Sequence, residues 1–152
     1  NKYGIFKHEW QYSRIKNKII IEKLLKTKDG KIPKDYKYFI INGKCKFIQV
    51  DYDRFNRHTR TIYSPNWEAM DMEWHYPKGE IEEKPQKLSE MIELAEKIAM
   101  TLYFARVDLY NADERIYFGE ITFYPGSGLE KITPVGYDLK LGDLLAINEM
   151  HN

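Results

Sequence analysis

Apolar residues recur at helical spacing in one stretch of this chain and alternate with polar ones in several others. Between residues 86 and 100, Leu88, Met91, Ile92, Ala95, Ile98 and Ala99 fall at i, i+3 and i+4, with Lys87, Glu90, Glu93, Glu96 and Lys97 opposite. That stripe predicts an amphipathic helix packed on a core. Residues 35–41 and 44–51 are rich in β-branched and aromatic side chains. Asn42-Gly43 joins them, a pair that tolerates positive φ at both central turn positions, so a β-hairpin is predicted. A second hairpin is predicted over residues 104–123. Phe104, Val107 and Leu109 supply its apolar positions on the first strand, and Ile116, Phe118, Ile121 and Phe123 on the second. The polar stretch Asn111-Ala112-Asp113-Glu114 is the expected connection.

The remaining signals are weaker. Residues 15–21 end in Ile19, Ile20 and Ile21 and predict a further strand. Residues 26–34 hold Asp29-Gly30, Pro33 and four lysines, and predict a mobile basic loop. Residues 63–85 carry Trp67, Trp74 and Tyr76 among Pro65, Pro77, Gly79 and Pro85, and read as an irregular connector. It either lines a substrate site or caps the sheet with aromatics. Residues 139–148 predict a short C-terminal helix through Leu141, Leu144, Leu145 and Asn148, with Gly142 counting against it. Residues 1–14 have no convincing period and read as a lead-in segment. The expected class is α+β, an antiparallel β-sheet with flanking helices.

Composition narrows the function. The chain has 152 residues, 43% hydrophobic and 14% aromatic, enough to bury the core of one domain. Lys and Arg total 24 against 23 Asp and Glu, a balance that gives no support for a nucleic-acid or membrane-surface binder. Lysines crowd the first 50 residues, which suits either an anionic ligand such as a nucleotide or a solvated surface. The single cysteine, Cys45, excludes an internal disulfide and fits a cytoplasmic location. No catalytic motif surrounds it, so it reads as a packing residue. No apolar run approaches the roughly 18 residues of a membrane span. The first residue is Asn1 rather than Met, so a processed, trimmed or partial chain is expected.

Three charged residues, Arg106, Asp108 and Glu120, interrupt the apolar strands of the second hairpin. Charges enter such strands only when paired, because desolvating one costs several kcal/mol, a figure of the order found for each ion of a buried pair. Arg106 and Asp108 share one strand face, as do Glu120 and Thr122. In an even pairing register all four face the same way. Two carboxylates and a guanidinium on one sheet face can hold magnesium and phosphate. A salt-bridge network that only ties the hairpin together fits the same spacing.

The ordered pattern resembles the ATP-grasp ligases, whose metal-binding end reads as an Arg-x-Asp strand, a turn, and a Glu-x-Asn strand entering a Pro-Gly loop. Here the residues are Arg106-Val-Asp108 and Glu120-Ile-Thr122, followed by Pro125-Gly126-Ser127-Gly128. Thr122 stands where the wider superfamily usually carries Asn. The Gly-Glu-Ile-Thr-Phe-x-Pro-Gly-Ser-Gly form is similar to the TupA-like branch, associated with teichuronopeptide and polysaccharide biosynthesis.

The resemblance implies an ATP-grasp C-terminal (large) subdomain, incomplete, over residues 1–152. The N-terminal domain and most of the small subdomain would be absent, and the isolated chain weakly active or inactive. ATP and Mg2+ would be the cofactors. Asp108, Glu120 and Thr122 would be metal ligands, and Arg106 would stabilise charge on the transferring phosphoryl group. Glu22-Lys23-Leu24 would form the adenine hinge, with Asp35 on the ribose hydroxyls and Lys37 near phosphate. Arg54, Arg57, His58 and Arg60 lie in an Asp-Arg-Phe-x-x-His-Thr-Arg passage similar to that branch; they would hold phosphates or an acidic substrate, or form a solvated basic edge.

The implied activity is carboxylate–amine ligation, with an acidic, amino-acid or glycan substrate. Two alternatives stay open. One is a non-catalytic nucleotide-binding or interaction half-domain needing a partner, such as a second copy in a homo-oligomer. The other is a glycosyltransferase-type module, for which Asp51-Tyr-Asp53 has the spacing of a metal motif.

Overall fold

A computed structural model of the chain describes residues 9, 15, 16, 18–54 and 56–145. Strands β1 (Asp35–Ile41) and β2 (Lys44–Tyr52) form the first predicted hairpin, turning at Asn42 and Gly43 with φ of 50° and 72°. Strand β3 (Thr59–Tyr63) and the two-residue β4 (Glu73–Trp74) follow. The predicted helix is α1 (Leu88–Ile98). The second hairpin is β5 (Phe104–Ala112) and β6 (Arg115–Thr122). A short 3₁₀ turn (Pro125–Gly128), β7 (Ile132–Thr133) and α2 (Gly136–Asp143) complete the order. Five strands make one antiparallel sheet in the order β3-β2-β1-β5-β6, and β4 pairs with β7 in a small second ladder. The class is α+β, as the sequence predicts.

The sheet's two faces differ, and strand alternation is the cause. One face carries Tyr36, Tyr38, Ile40, Ile48, Val50, Ala105, Val107 and Leu109, all buried. Helix α1 covers it with Leu88, Met91 and Ala95. Fully burying a large apolar side chain contributes roughly 1.5–3 kcal/mol, so this layer is the main source of stability. Glu96 of α1 accepts the Cys45 backbone N–H at 2.9 Å and pairs with Lys44, tying the helix to the first hairpin. Cys45 is buried there, and burial pushes its thiol up to about 12, so it is the packing residue expected.

The other face is split. Phe39, Ile41, Phe47 and Ile62 form a second core, joined by Phe104 and roofed by Met72, Trp74, Ile132 and Leu141. Towards the opposite end of the same strands the residues turn polar: Asp35 and Lys37 on β1, Gln49 and Asp51 on β2, Arg60 on β3, Arg106 and Asp108 on β5. Strand β1 encodes the division by itself, reading Asp35, Lys37, Phe39, Ile41 along one face.

Several expectations need correction. Residues 18–21 are not a strand: they run without ladder partners, and Ile19, Ile20 and Ile21 are 92%, 79% and 91% exposed. Strand propensity alone does not make a strand, which needs a neighbour for its hydrogen bonds and side chains. The second connection is shorter than predicted. Strand β5 runs on through Asn111 and Ala112, and only Asp113 and Glu114 turn, with φ of 50° and 65°. Phe104 lies on the face away from Val107 and Leu109, while Phe118 and Phe123 stay 55% and 47% exposed. The basic loop does not hang free. Thr27 and Lys31 close it, and the Lys28 N–H donates to Asp113 Oδ2 at 2.8 Å across to the β5–β6 turn.

Two of the connector's aromatics cap the sheet, Trp67 stacking on Tyr63 at 4.1 Å and Trp74 packing on Phe39 and Phe47, while Tyr76 lies against Arg60 and His58. The C-terminal helix begins and ends earlier than predicted, and Asn148 lies outside the described residues. So does the lead-in, Glu9 excepted.

Candidate functional site

The polar end of the split face is the floor of a cleft of about 1450 Å³. Its floor is a row of side chains crossing the sheet. Gln49 lies opposite Lys37, Lys37 opposite Asp108, and Asp108 opposite Glu120. Directly paired residues on antiparallel strands project to the same side, which brings together groups up to 83 positions apart in sequence, Lys37 to Glu120.

A β-bulge makes the last pairing possible. From the turn, Ala112 pairs with Arg115 and Leu109 with Phe118, but Asp108 pairs with Glu120. Gly119 is the extra residue. In an uninterrupted ladder Glu120 would fall opposite Val107 and face helix α1. A Cβ at Gly119 would sit 3.0 Å from both the Asp108 carbonyl oxygen and the Tyr110 ring, so the tight approach favours glycine.

Around this bulge the four residues read from the sequence come together. Arg106 donates from Nε to Asp108 Oδ1 at 2.7 Å and from Nη2 to Asp108 Oδ2 at 2.9 Å. The same Nη2 reaches Glu120 Oε1 at 2.7 Å, and the Thr122 hydroxyl donates to that oxygen at 3.0 Å. Lys37 Nζ stands 3.3 Å from Asp108 Oδ2 and pairs with Asp35 Oδ2. Burial pushes the Asp108 carboxyl above its ordinary range; Arg106 and Lys37 oppose this without cancelling it, and Glu120 adds to it. Glu120 is 63% exposed at the open side.

A second cluster occupies the β2–β3 end. Arg60, with a side chain only 7% exposed, donates from Nε to Asp51 Oδ1 at 2.6 Å and from Nη1 to Glu130 Oε2 at 3.2 Å and the Trp74 carbonyl at 3.0 Å. Asp51 also accepts from Gln49 and Arg54, and His58 Nε2 lies 3.4 Å away. Burial alone would raise the Asp51 carboxyl, but Arg60, Gln49 and Lys37 outweigh it and hold it below the usual range. The His58 ring stacks on Tyr76 at 3.6 Å. Arg54 reaches Asp35 at 2.5 Å, bridging the two clusters. Arg57 is exposed and its side chain does not line the cleft.

The segment holding Glu22, Lys23 and Leu24 forms one wall of the cleft, with Ile32 and Pro33 beside it. Gln49, Tyr110 and Glu130 also line it and are not among the candidates the sequence offers, and Asp51, which lines it too, enters there only through its spacing to Asp53. Gln49 and Asp51 carried the same signal as Arg106 and Asp108, polar residues alternating within an apolar strand. Glu130 carried none. It is placed by the Pro125–Gly128 turn, where Gly126 adopts φ 56° and a Cβ would meet the Glu130 side chain.

The cleft is electrically balanced among the described residues. Glu22, Asp35, Asp51, Asp108, Glu120 and Glu130 face Lys23, Lys26, Lys37, Arg54, Arg60 and Arg106. The paired acids offer hard oxygen ligands, which suit magnesium, and the cations suit phosphate. No group of three or more His, Cys, Asp or Glu side chains gathers at one point among the described residues, so a metal here would complete its shell with the Thr122 hydroxyl, water or phosphate oxygens.

The site is thus an open antiparallel sheet with these charged groups across its floor and a helix on its back. A family model described as TupA-like ATPgrasp matches residues 1–146, which makes this a protein of the ATP-grasp type. The chain belongs to the TupA-like ATP-grasp family. No curated protein and no solved structure matches it. No helix among the described residues is long and apolar enough to cross a membrane.

Proposed function

We propose that this chain is the ATP- and magnesium-binding part of a carboxylate–amine ligase acting in cell-surface polysaccharide biosynthesis. The observation that carries this reading is the Gln49–Lys37–Asp108–Glu120 row with Arg106 beside it, in a cleft walled by Glu22, Lys23 and Leu24. Family membership supports the nucleotide. The polysaccharide setting follows the family branch alone.

In this reading Asp108 and Glu120, with Thr122, hold magnesium, which when bound neutralises charge on the β- and γ-phosphates. The fit rests on the donor set: both contacts to Glu120 fall on Oε1, which leaves Oε2 for a ligand. Arg106 and Lys37 turn to the phosphates, and Arg106 stabilises the transferring phosphoryl group. Both contacts to Asp35 fall on Oδ2, so Oδ1 serves a ribose hydroxyl. Glu22 accepts from the adenine amino group, and the Lys23 and Leu24 backbone meets the ring edge. The acceptor, an acidic, amino-acid or glycan molecule, enters from the Arg54–His58–Arg60 side.

Calorimetric titration with ATP and magnesium tests the assignment. The wild type should show magnesium-dependent binding that Asp108→Asn and Glu120→Gln both lose. Binding unchanged in both variants would overturn it.

A further inference from the structure

We infer that Arg106 and a divalent cation compete for the same oxygens, so that Arg106 makes metal and polyphosphate bind together rather than separately. The inference rests on the assignment of Asp108 and Glu120 as metal ligands and asks what those ligands hold meanwhile. Arg106 meets both oxygens of Asp108 and one of Glu120, at 2.7, 2.9 and 2.7 Å. These are charge-assisted contacts, and the pair on Asp108 is bidentate, the strongest common geometry. The guanidinium is 13% exposed and Asp108 5%, so water screens the pair weakly. A cation approaching alone must displace Arg106 and leave a guanidinium without its partners.

A polyphosphate changes that balance. Its oxygens offer Arg106 and Lys37 new acceptors, and as they turn away, Asp108 and Glu120 become available to metal. The Lys37–Asp108 contact is already long at 3.3 Å, so Arg106 holds the position more firmly than Lys37. The result is positive coupling between two ligands, which must be reciprocal. It also limits occupation of the site by stray divalent ions.

The test uses Mn2+ alone, followed by electron paramagnetic resonance, on the full chain. Wild type should bind Mn2+ weakly. Arg106→Met removes the competing charge and should tighten Mn2+ about tenfold or more, within the usual range of coupling between sites. Adding Asp108→Asn to that variant should abolish the gain. Arg106→Lys keeps the charge and should stay weak, and Arg106→Gln repeats the neutral case if the methionine variant does not fold. Mn2+ binding no tighter in the neutral variants than in wild type overturns the inference. If magnesium-dependent ATP binding still needs Asp108 and Glu120, the functional reading survives that failure; if it does not, both fall.

Discussion

The cleft contains two arginines, each held by two carboxylates, and they are built for opposite purposes. Arg60 sits between Asp51 and Glu130, its side chain 7% exposed and Asp51 3% exposed, with the Trp74 carbonyl as a further acceptor. Arg106 sits between Asp108 and Glu120, but Glu120 is 63% exposed on the edge strand β6. The chemistry is the same and the surroundings are not. A buried ion pair is costly to break, because the survivor is left unsolvated. A contact whose carboxylate is exposed, as Glu120 is, can exchange partners at small cost, because water receives the released group. The Arg60 cluster therefore anchors the β2–β3 end of the floor, while the Arg106 cluster has an open side at Glu120 from which a ligand can reach it.

The sharpest way to break this contrast is to remove each group in turn. Arg60→Ala leaves Asp51 buried without its main partner and should destabilise the fold by about 3–5 kcal/mol, read by denaturant unfolding. Glu120→Gln should cost about 1 kcal/mol or less in the same assay, while abolishing magnesium-dependent nucleotide binding. A Glu120 effect on stability as large as that of Arg60 would erase the distinction.

Proton titration gives a smaller but cleaner comparison. Asp51 is held below its unfolded value of 3.8, so its stabilising contribution is complete above that value and is lost as pH falls through its lower folded value. Asp108 is raised above 3.8, so its ionised form costs stability at neutral pH, and that cost disappears as pH falls from its folded value towards 3.8. Carboxyl carbon NMR should show Asp108 titrating at higher pH than Asp51. Asp108→Asn should remove the upper step from a plot of stability against pH.

Much of this was legible in the sequence for specific reasons. Leu88, Met91 and Ala95 keep helical spacing, and they pack on the sheet. Asn42-Gly43 announces its turn because few other pairs accept its backbone. Arg106, Asp108, Glu120 and Thr122 stood out as charge and polarity inside apolar strands, and they do meet on one face. What stayed hidden depended on distant neighbours. Ile19 to Ile21 look like a strand locally, but whether they pair is decided elsewhere. Asp51 and Gln49 gain meaning only when β1 places Lys37 between β2 and β5. Glu130 reaches Arg60 across 70 positions through a turn whose shape no periodicity reveals.

Gly119 turns the hairpin into a matter of parity. A two-residue turn at Asp113 and Glu114 assigns even positions of β5 and odd positions of β6 to one side. The additional residue reverses that assignment for everything after it. Deleting Gly119 would leave every acid, base and hydroxyl of the cluster in the protein, yet send Glu120 and Thr122 to the wrong side of the sheet. Composition would be intact apart from one glycine, and the site would be gone. At this place the chain stores its chemistry in a count of residues, and the smallest residue keeps the count.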